Sequence, residues 1–238
     1  MARQRHLSHA PLREALIDIQ LTSLRPVEFA QNLEQFELPG FQRKLQLRFG
    51  EFFLHFGKDE PPQSKSKVEI AGWRYESSDG SRVVQLRRNG MTYSFLKGYT
   101  EWSDIKNAAQ EVWRLSCAWA GDVEVGRVAV KYINVIESPP GAELTDYLIT
   151  VPSIPEELPQ RLAHFLTRVT IPFDKNILAI ITTALEASSN IVFDIDVFSQ
   201  QVFAGNSLEF WALLDRLREI KNSIFFSTVT EKALEAYE

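Results

Sequence analysis

Alternation of apolar and polar positions divides the chain into short strands and two long helical stretches. Leu16 to Leu21 alternates in part and is rich in branched residues, which predicts a first strand. Arg25-Pro26 then opens a helix with proline at its first position, carrying Phe29, Ala30, Leu33 and Phe36 at helical spacing. Pro39-Gly40 ends it, and Leu45, Leu47 and Phe49 alternate with Gln46 and Arg48 in a second strand that bends at Gly50. Residues 58–67 are polar and contain two prolines, so a loop is expected there.

The segment from Trp73 to Leu96 reads as a three-stranded antiparallel meander. Its two turns are expected at Asp79-Gly80 and Asn89-Gly90, dipeptides that tolerate the positive φ of tight hairpins. A helix capped by Thr100 or Ser103 follows, with Ile105, Ala109, Val112, Trp113, Ser116, Cys117 and Ala120 on one stripe and Gly121 as its stop.

From Gly126 the order starts again. Val128, Val130, Tyr132 and Asn134 share one face of a strand, and residues 138–160 hold five of the eleven prolines around a short helix at Leu144 to Leu148. Strands are expected over residues 162–171, 177–186 and 191–203, then a helix from Ser207 bearing Phe210, Trp211, Leu214 and Leu217, with a second helical segment beyond Lys221. Strand, helix, antiparallel strands and helix thus occur twice. The expected fold is α+β, two pseudo-repeated units (residues 1–125 and 126–238) of antiparallel sheet with helices on one face, packed as one body. Such an order is similar to the TATA-binding-protein-like and helix-grip folds, which host unrelated functions.

Composition narrows the class. Of 238 residues 45% are apolar and 24% charged, as in a globular fold, and one cysteine rules out an internal disulfide framework. Met1 to His6 is basic with no apolar run behind it, so no signal peptide and a cytoplasmic location are expected. Residues 1–120 carry 17 basic and 14 acidic side chains, residues 121–238 carry 9 and 17, so formal charge runs from +3 to −8. That balance argues against a dedicated duplex-DNA binder and leaves nucleic-acid binding weak at most, with Arg74, Arg87 and Arg88 as its candidate residues.

Catalytic signatures are sparse. Asp194 and Asp196 sit at i and i+2 on one strand face, a spacing that can hold Mg²⁺ for phosphoryl transfer, though a solvated face paired across strands by a residue such as Arg168 is the expected reading. His6 and His9 lack a third ligand, Cys117 lies on an apolar face, and no phosphate-binding loop or nucleophile elbow is present. No cofactor is expected. Tyr132 and Asn134 are read either as a polar handle in a groove between the halves or as a register-fixing hydrogen bond at their junction.

Three segments together resemble a sporadically distributed prokaryotic protein family without an assigned activity. They are Ala10-Pro11-Leu12-Arg13-Glu14-Ala15; the strand from Arg127 through Lys131-Tyr132-Ile133-Asn134, with Lys131 where the family has arginine; and Asn222, Phe225 or Phe226, and Thr230-Glu231 near the end. The resemblance implies a protein of patchy distribution, as in mobile or defence-linked genes. The expected function is a non-catalytic interaction or regulatory protein, antitoxin-like or defence-accessory, binding a protein encoded nearby, with a homodimer also open. The alternatives are a phosphoryl-transfer enzyme using Asp194 and Asp196, and a small-ligand or RNA receptor.

Overall fold

The computed structural model describes residues 2–55, 63–99, 101–121, 123–186 and 189–238. Among them a single antiparallel sheet of ten strands carries helices on one face. At its centre β1 (Leu12–Leu21) pairs antiparallel with β6 (Glu124–Ile136), placing Ala15 opposite Tyr132, Ile17 opposite Val130 and Ile19 opposite Val128. Outward from β1 run β5 (Gly90–Phe95), β4 (Arg82–Arg87), β3 (Gln63–Ser77) and β2 (Phe41–His55). Outward from β6 run β9 (Ile191–Ser199), β8 (Ile177–Leu185) and β7 (Phe165–Pro172), while the two-residue β10 (Phe203–Ala204) extends the pairing of β6. The α+β class is therefore correct at the level of sheet and helices. The expected boundary at residue 125 falls within β6.

Side-chain alternation gives the sheet two unlike faces. Ala15, Ile17 and Ile19 of β1, Val128, Val130 and Tyr132 of β6, and Phe193, Ile195 and Val197 of β9 all point to one side and are buried. That side is covered by α1 (Val27–Asn32), α2 (Trp102–Ala120) and α3 (Glu209–Thr228). The stripes expected to point inward do so. Ile105, Ala109, Val112 and Trp113 of α2 and Phe210, Trp211 and Leu214 of α3 join one core, with the Trp113 and Phe210 rings edge to face at 6.2 Å.

Several sequence expectations change. The first helix stops at Asn32 rather than reaching Phe36, because Glu34, Gln35 and Phe36 donate to carbonyls three residues back, a tightening that still buries Leu33 and Phe36. Of the loop expected over residues 58–67, residues 58–62 lie outside the described residues and residues 63–67 belong to β3. There Ser64, Lys65 and Ser66 pair with Leu54, Phe53 and Phe52 in a ribbon open to solvent on both faces, where polar side chains cost nothing. Thr100 lies outside the described residues, and the residue at the start of α2 is Glu101, with no side-chain cap. The last helix is also not broken at Lys221: α3 runs unbroken to Thr228, and a short α4 (Glu231–Leu234) is capped by the Thr230 hydroxyl.

The second hairpin turn differs in mechanism. Its two turn residues are Arg88 and Asn89, while Gly90 already pairs with Arg87 and Gln20 as the first residue of β5. Gly90 has φ of +145°, and a Cβ there would stand 1.9 Å from the Ile19 carbonyl oxygen. Glycine is required because β1 approaches so closely. Gly80, with φ of +66°, has open space around it. Gly90→Val should therefore cost about 3 kcal/mol or more, while Gly80→Ala should cost only about 1 kcal/mol of left-handed strain. Equal losses in chemical denaturation would contradict this reading.

Candidate functional site

The uncovered face of the sheet holds the predicted aspartates. Both carboxylate oxygens of Asp196 accept from one nitrogen of Arg127, Nη2, at 2.8 and 3.0 Å, and Asp194 pairs with Lys131 at 2.9 Å. Arg127 also reaches Asp18 at 3.0 Å, and Asp18 takes Arg87 at 2.7 Å and the Thr92 hydroxyl at 2.7 Å. The partners are thus residues on the neighbouring strand β6, not Arg168 on β7. Burial pushes the Asp196 carboxyl up despite Arg127 and Lys131. At Asp18 burial acts the same way, but the Arg87 charge and the Thr92 hydrogen bond outweigh it and hold the carboxyl below its ordinary value. No group of three or more metal-ligating side chains occurs among the described residues. Each aspartate serves to tie strands across the centre of the sheet.

The candidate arginines of the meander are engaged in the same way. Arg74 pairs with Glu76 at 2.8 Å, Arg87 with Asp18, and Arg88 with Glu69 at 3.1 Å while its Nε donates to the Arg25 carbonyl. Cys117 is half-buried beside Arg25, and burial raises its thiol above the ordinary value, which leaves it protonated and unreactive.

Tyr132 and Asn134 face the other way, into a cavity of about 850 Å³ on the helical side of the sheet. Its floor is β6, its walls are the start of α2 and the middle of α3, and residues 4–10 close one side. Those residues are held in place. Ala2 N–H donates to Phe226, His9 N–H donates to Tyr237, and Arg5 pairs with Glu231 and Glu238 at 2.9 and 2.5 Å. The three segments of the family-like pattern meet here, through Leu12, through Tyr132 with Asn134, and through Asn222 with Phe225 and Phe226.

Asn134 makes a cross-strand bond and also lines the cavity. Its amide donates to the Phe193 carbonyl at 3.1 Å, fixing the register of β6 against β9, and its side lines the cavity. The Tyr132 hydroxyl donates to that of Tyr99 at 2.6 Å. Burial, with Tyr99 adding to it, raises Tyr132 well above its ordinary value, so it stays a neutral phenol.

The residue that decides the character of the cavity is Lys221. It is 7% exposed, its ammonium lies 3.7 Å from the centre of the Tyr132 ring, and its hydrogen-bond partner is the neutral side-chain oxygen of Asn222. No carboxylate pairs with it among the described residues. Burial drives its pKa well below 10.5, and the charge of Arg218 one turn earlier pushes the same way. Arg218, Lys221, Asn222 and Phe225 follow the i, i+3, i+4, i+7 spacing of one helix face, so α3 presents two cationic side chains and an amide to the same space.

Sequence reasoning put Tyr132 and Asn134 on one strand face, with a groove or a register-fixing bond as the two readings, but did not select Lys221 or Arg218. A signal was present. Leu214, Leu217, Lys221 and Ile224 form a stripe with spacings of three, four and three, so Lys221 occupies a core position on an otherwise aliphatic seam.

No protein-family model, curated protein or solved structure matches the chain. The resemblance described above therefore rests on its three motifs alone.

Two stability measurements test this geometry. Asp18→Asn should cost about 3 kcal/mol near neutral pH, because Arg87 and Arg127 lose a largely buried partner. Asp18 has its pKa lowered by folding, so its contribution is present above the ordinary value of 3.8 and fades as pH falls through the folded value. The difference between variant and wild type should close in acid. Lys221→Met should act in the opposite direction, raising Tm at neutral pH by about 2–4 °C for each kcal/mol of relieved burial. The folded chain holds the Lys221 proton less tightly than the unfolded chain, so the gain should shrink as pH rises toward 10.5. A lower Tm for Lys221→Met would show that the lysine is structurally required.

Proposed function

We propose that the protein is a receptor for a small anionic ligand, held in the cavity between β6, α2 and α3. The observation that carries this reading is Lys221. A buried amine without a carboxylate partner opposes folding, and a protein keeps such a group where a ligand completes it. Arg218 adds a charge that does not titrate, and Tyr99, Tyr132 and Asn222 add polar groups beside Phe95, Trp102 and Phe225 in a lining that also holds Lys97 and Glu101. The volume suits a ligand of metabolite to nucleotide size.

The order of strands supports two units of one kind. Each half starts at the centre with β1 or β6, pairs that strand with its own last strand, β5 or β9, and lays the earlier strands outward in reverse order. On this reading residues 1–125 and 126–238 are related units and the cavity lies where they join, with α2 and α3 as equivalent helices. No helix among the described residues is long and apolar enough to cross a membrane, which fits a cytoplasmic receptor.

A second reading, an interaction protein that binds a partner encoded nearby, is favoured by a different feature. Beyond the pairing of Gly72 with β4, β2 and β3 continue as a two-stranded ribbon with Phe49, Phe52, Phe53, Leu54 and Val68 each more than half exposed. An isolated ribbon of this kind is marginal in water, and so many exposed apolar side chains mark a contact surface. The two readings combine in a regulator whose partner contact responds to a ligand.

Screening small carboxylates and phosphates by thermal shift should find compounds that raise Tm by several degrees at saturation. Arg218→Gln should fold normally and lose that response. A full response in Arg218→Gln would place the ligand elsewhere. Phe52→Ser combined with Phe53→Ser should leave Tm unchanged while abolishing co-elution with the product of the neighbouring gene, and retained co-elution would remove the ribbon from the interface.

A further inference from the structure

We infer that Lys221 binds its ligand covalently and reversibly, as an imine with a 2-oxo acid. The inference rests on the anion-receptor reading of the cavity and adds the identity of the ligand class. A lysine amine becomes a nucleophile when it loses its proton, and burial in an aromatic site beside a second cation is one way proteins achieve this. Lys221 meets that description by position. It is enclosed over the face of Tyr132, it is bonded only to a neutral amide oxygen, and Arg218 stands one turn away on the same helix face.

The spacing selects the ligand. Residues three apart on a helix have Cβ atoms about 5–6 Å apart, and their long side chains converge on neighbouring atoms of one molecule. A 2-oxo acid places a carboxylate next to a ketone or aldehyde carbon, so Arg218 takes the carboxylate while Lys221 faces the carbonyl carbon. Arginine suits the first task through its planar fork, and a neutral lysine the second.

The step balances without any further reagent. The amine lone pair attacks the carbonyl carbon, a carbon–nitrogen bond forms, and the carbonyl π bond opens to an alkoxide that takes one amine proton. The resulting carbinolamine then expels its hydroxyl as water, with one proton supplied from the hydroxyl pair. Because Tyr132 donates to Tyr99, the Tyr99 hydroxyl hydrogen is free to be given to the departing oxygen. The nitrogen releases its remaining proton back to Tyr99 as the carbon–nitrogen double bond completes. Amine and carbonyl become imine and water, and hydrolysis reverses every step.

The full chain should be incubated near neutral pH with glyoxylate, pyruvate or 2-oxoglutarate and sodium cyanoborohydride, then mapped by peptide mass spectrometry. The matching 2-hydroxy acids, glycolate, lactate and 2-hydroxyglutarate, serve as carbonyl-free anions in parallel thermal-shift measurements. We expect one reduced adduct per chain for at least one oxo acid, on the peptide containing Lys221. It should be absent in Lys221→Met, and its formation should be slowed at least tenfold in Arg218→Gln. Label spread over exposed lysines, and unchanged in Lys221→Met, would overturn the inference. Stabilisation by both acids of a pair with no adduct at Lys221 would also overturn it while leaving the anion receptor standing. No stabilisation by either acid of any pair, together with no adduct, would remove both.

Discussion

The joint between β1 and β6 is the constraint on which the remaining structure depends. These two strands carry the central ladder, and each presents small or branched residues (Ala15, Ile17, Ile19; Val128, Val130) to the helices. On the other face the same joint is held by charge. Arg127 of β6 bridges Asp18 of β1 and Asp196 of β9, while Asp18 also takes Arg87 from β4. Four strands are thus tied through a few partly buried ionic groups, so their register cannot slip without stranding a charge. With that register fixed, Tyr132 and Asn134 must face α3, and the cavity follows.

Much of this was legible in the sequence wherever a local pattern had no competitor. The alternation in Gly126 to Ile136, the helical stripes of α2 and α3 and the strands of the meander all appear as read. Readings failed where distant contacts overrode local chemistry. Ser64 to Lys67 are polar, yet they form strand because Phe52 to Leu54 supply a backbone ladder. Gly90 reads as a turn glycine but is needed for the approach of β1, a contact made by residues seventy positions away. The aspartate pair shows the same limit. Its spacing is a property of the strand, whereas its meaning depends on Arg127 and Lys131, which only the order β1-β6-β9 brings beside it.

The cavity was half legible for a related reason. A strand displays its face by simple alternation, so Tyr132 and Asn134 could be placed together. Lys221 required recognising that one position in an aliphatic helical seam holds a cation. Two cationic groups set on opposite faces of the sheet, Arg127 and Lys221, have unlike surroundings. Arg127 is matched by carboxylates that tie it across the sheet, whereas Lys221 rests on an aromatic face with no carboxylate beside it among the described residues.

Residues 2–9 give this arrangement an ordering in time. They are fastened to positions more than two hundred residues later, by Ala2 on Phe226, Arg3 on Glu231, and Arg5 and His9 on the last two residues, and they form one wall of the cavity. Contacts of such separation are among the last to form, because a long loop must close before they contribute. During synthesis residues 2–9 can take up this place only after residues 226–238 have been made. The cavity therefore takes shape only when both segments are present, and a chain interrupted before α3 would carry the sheet without this wall of the cavity.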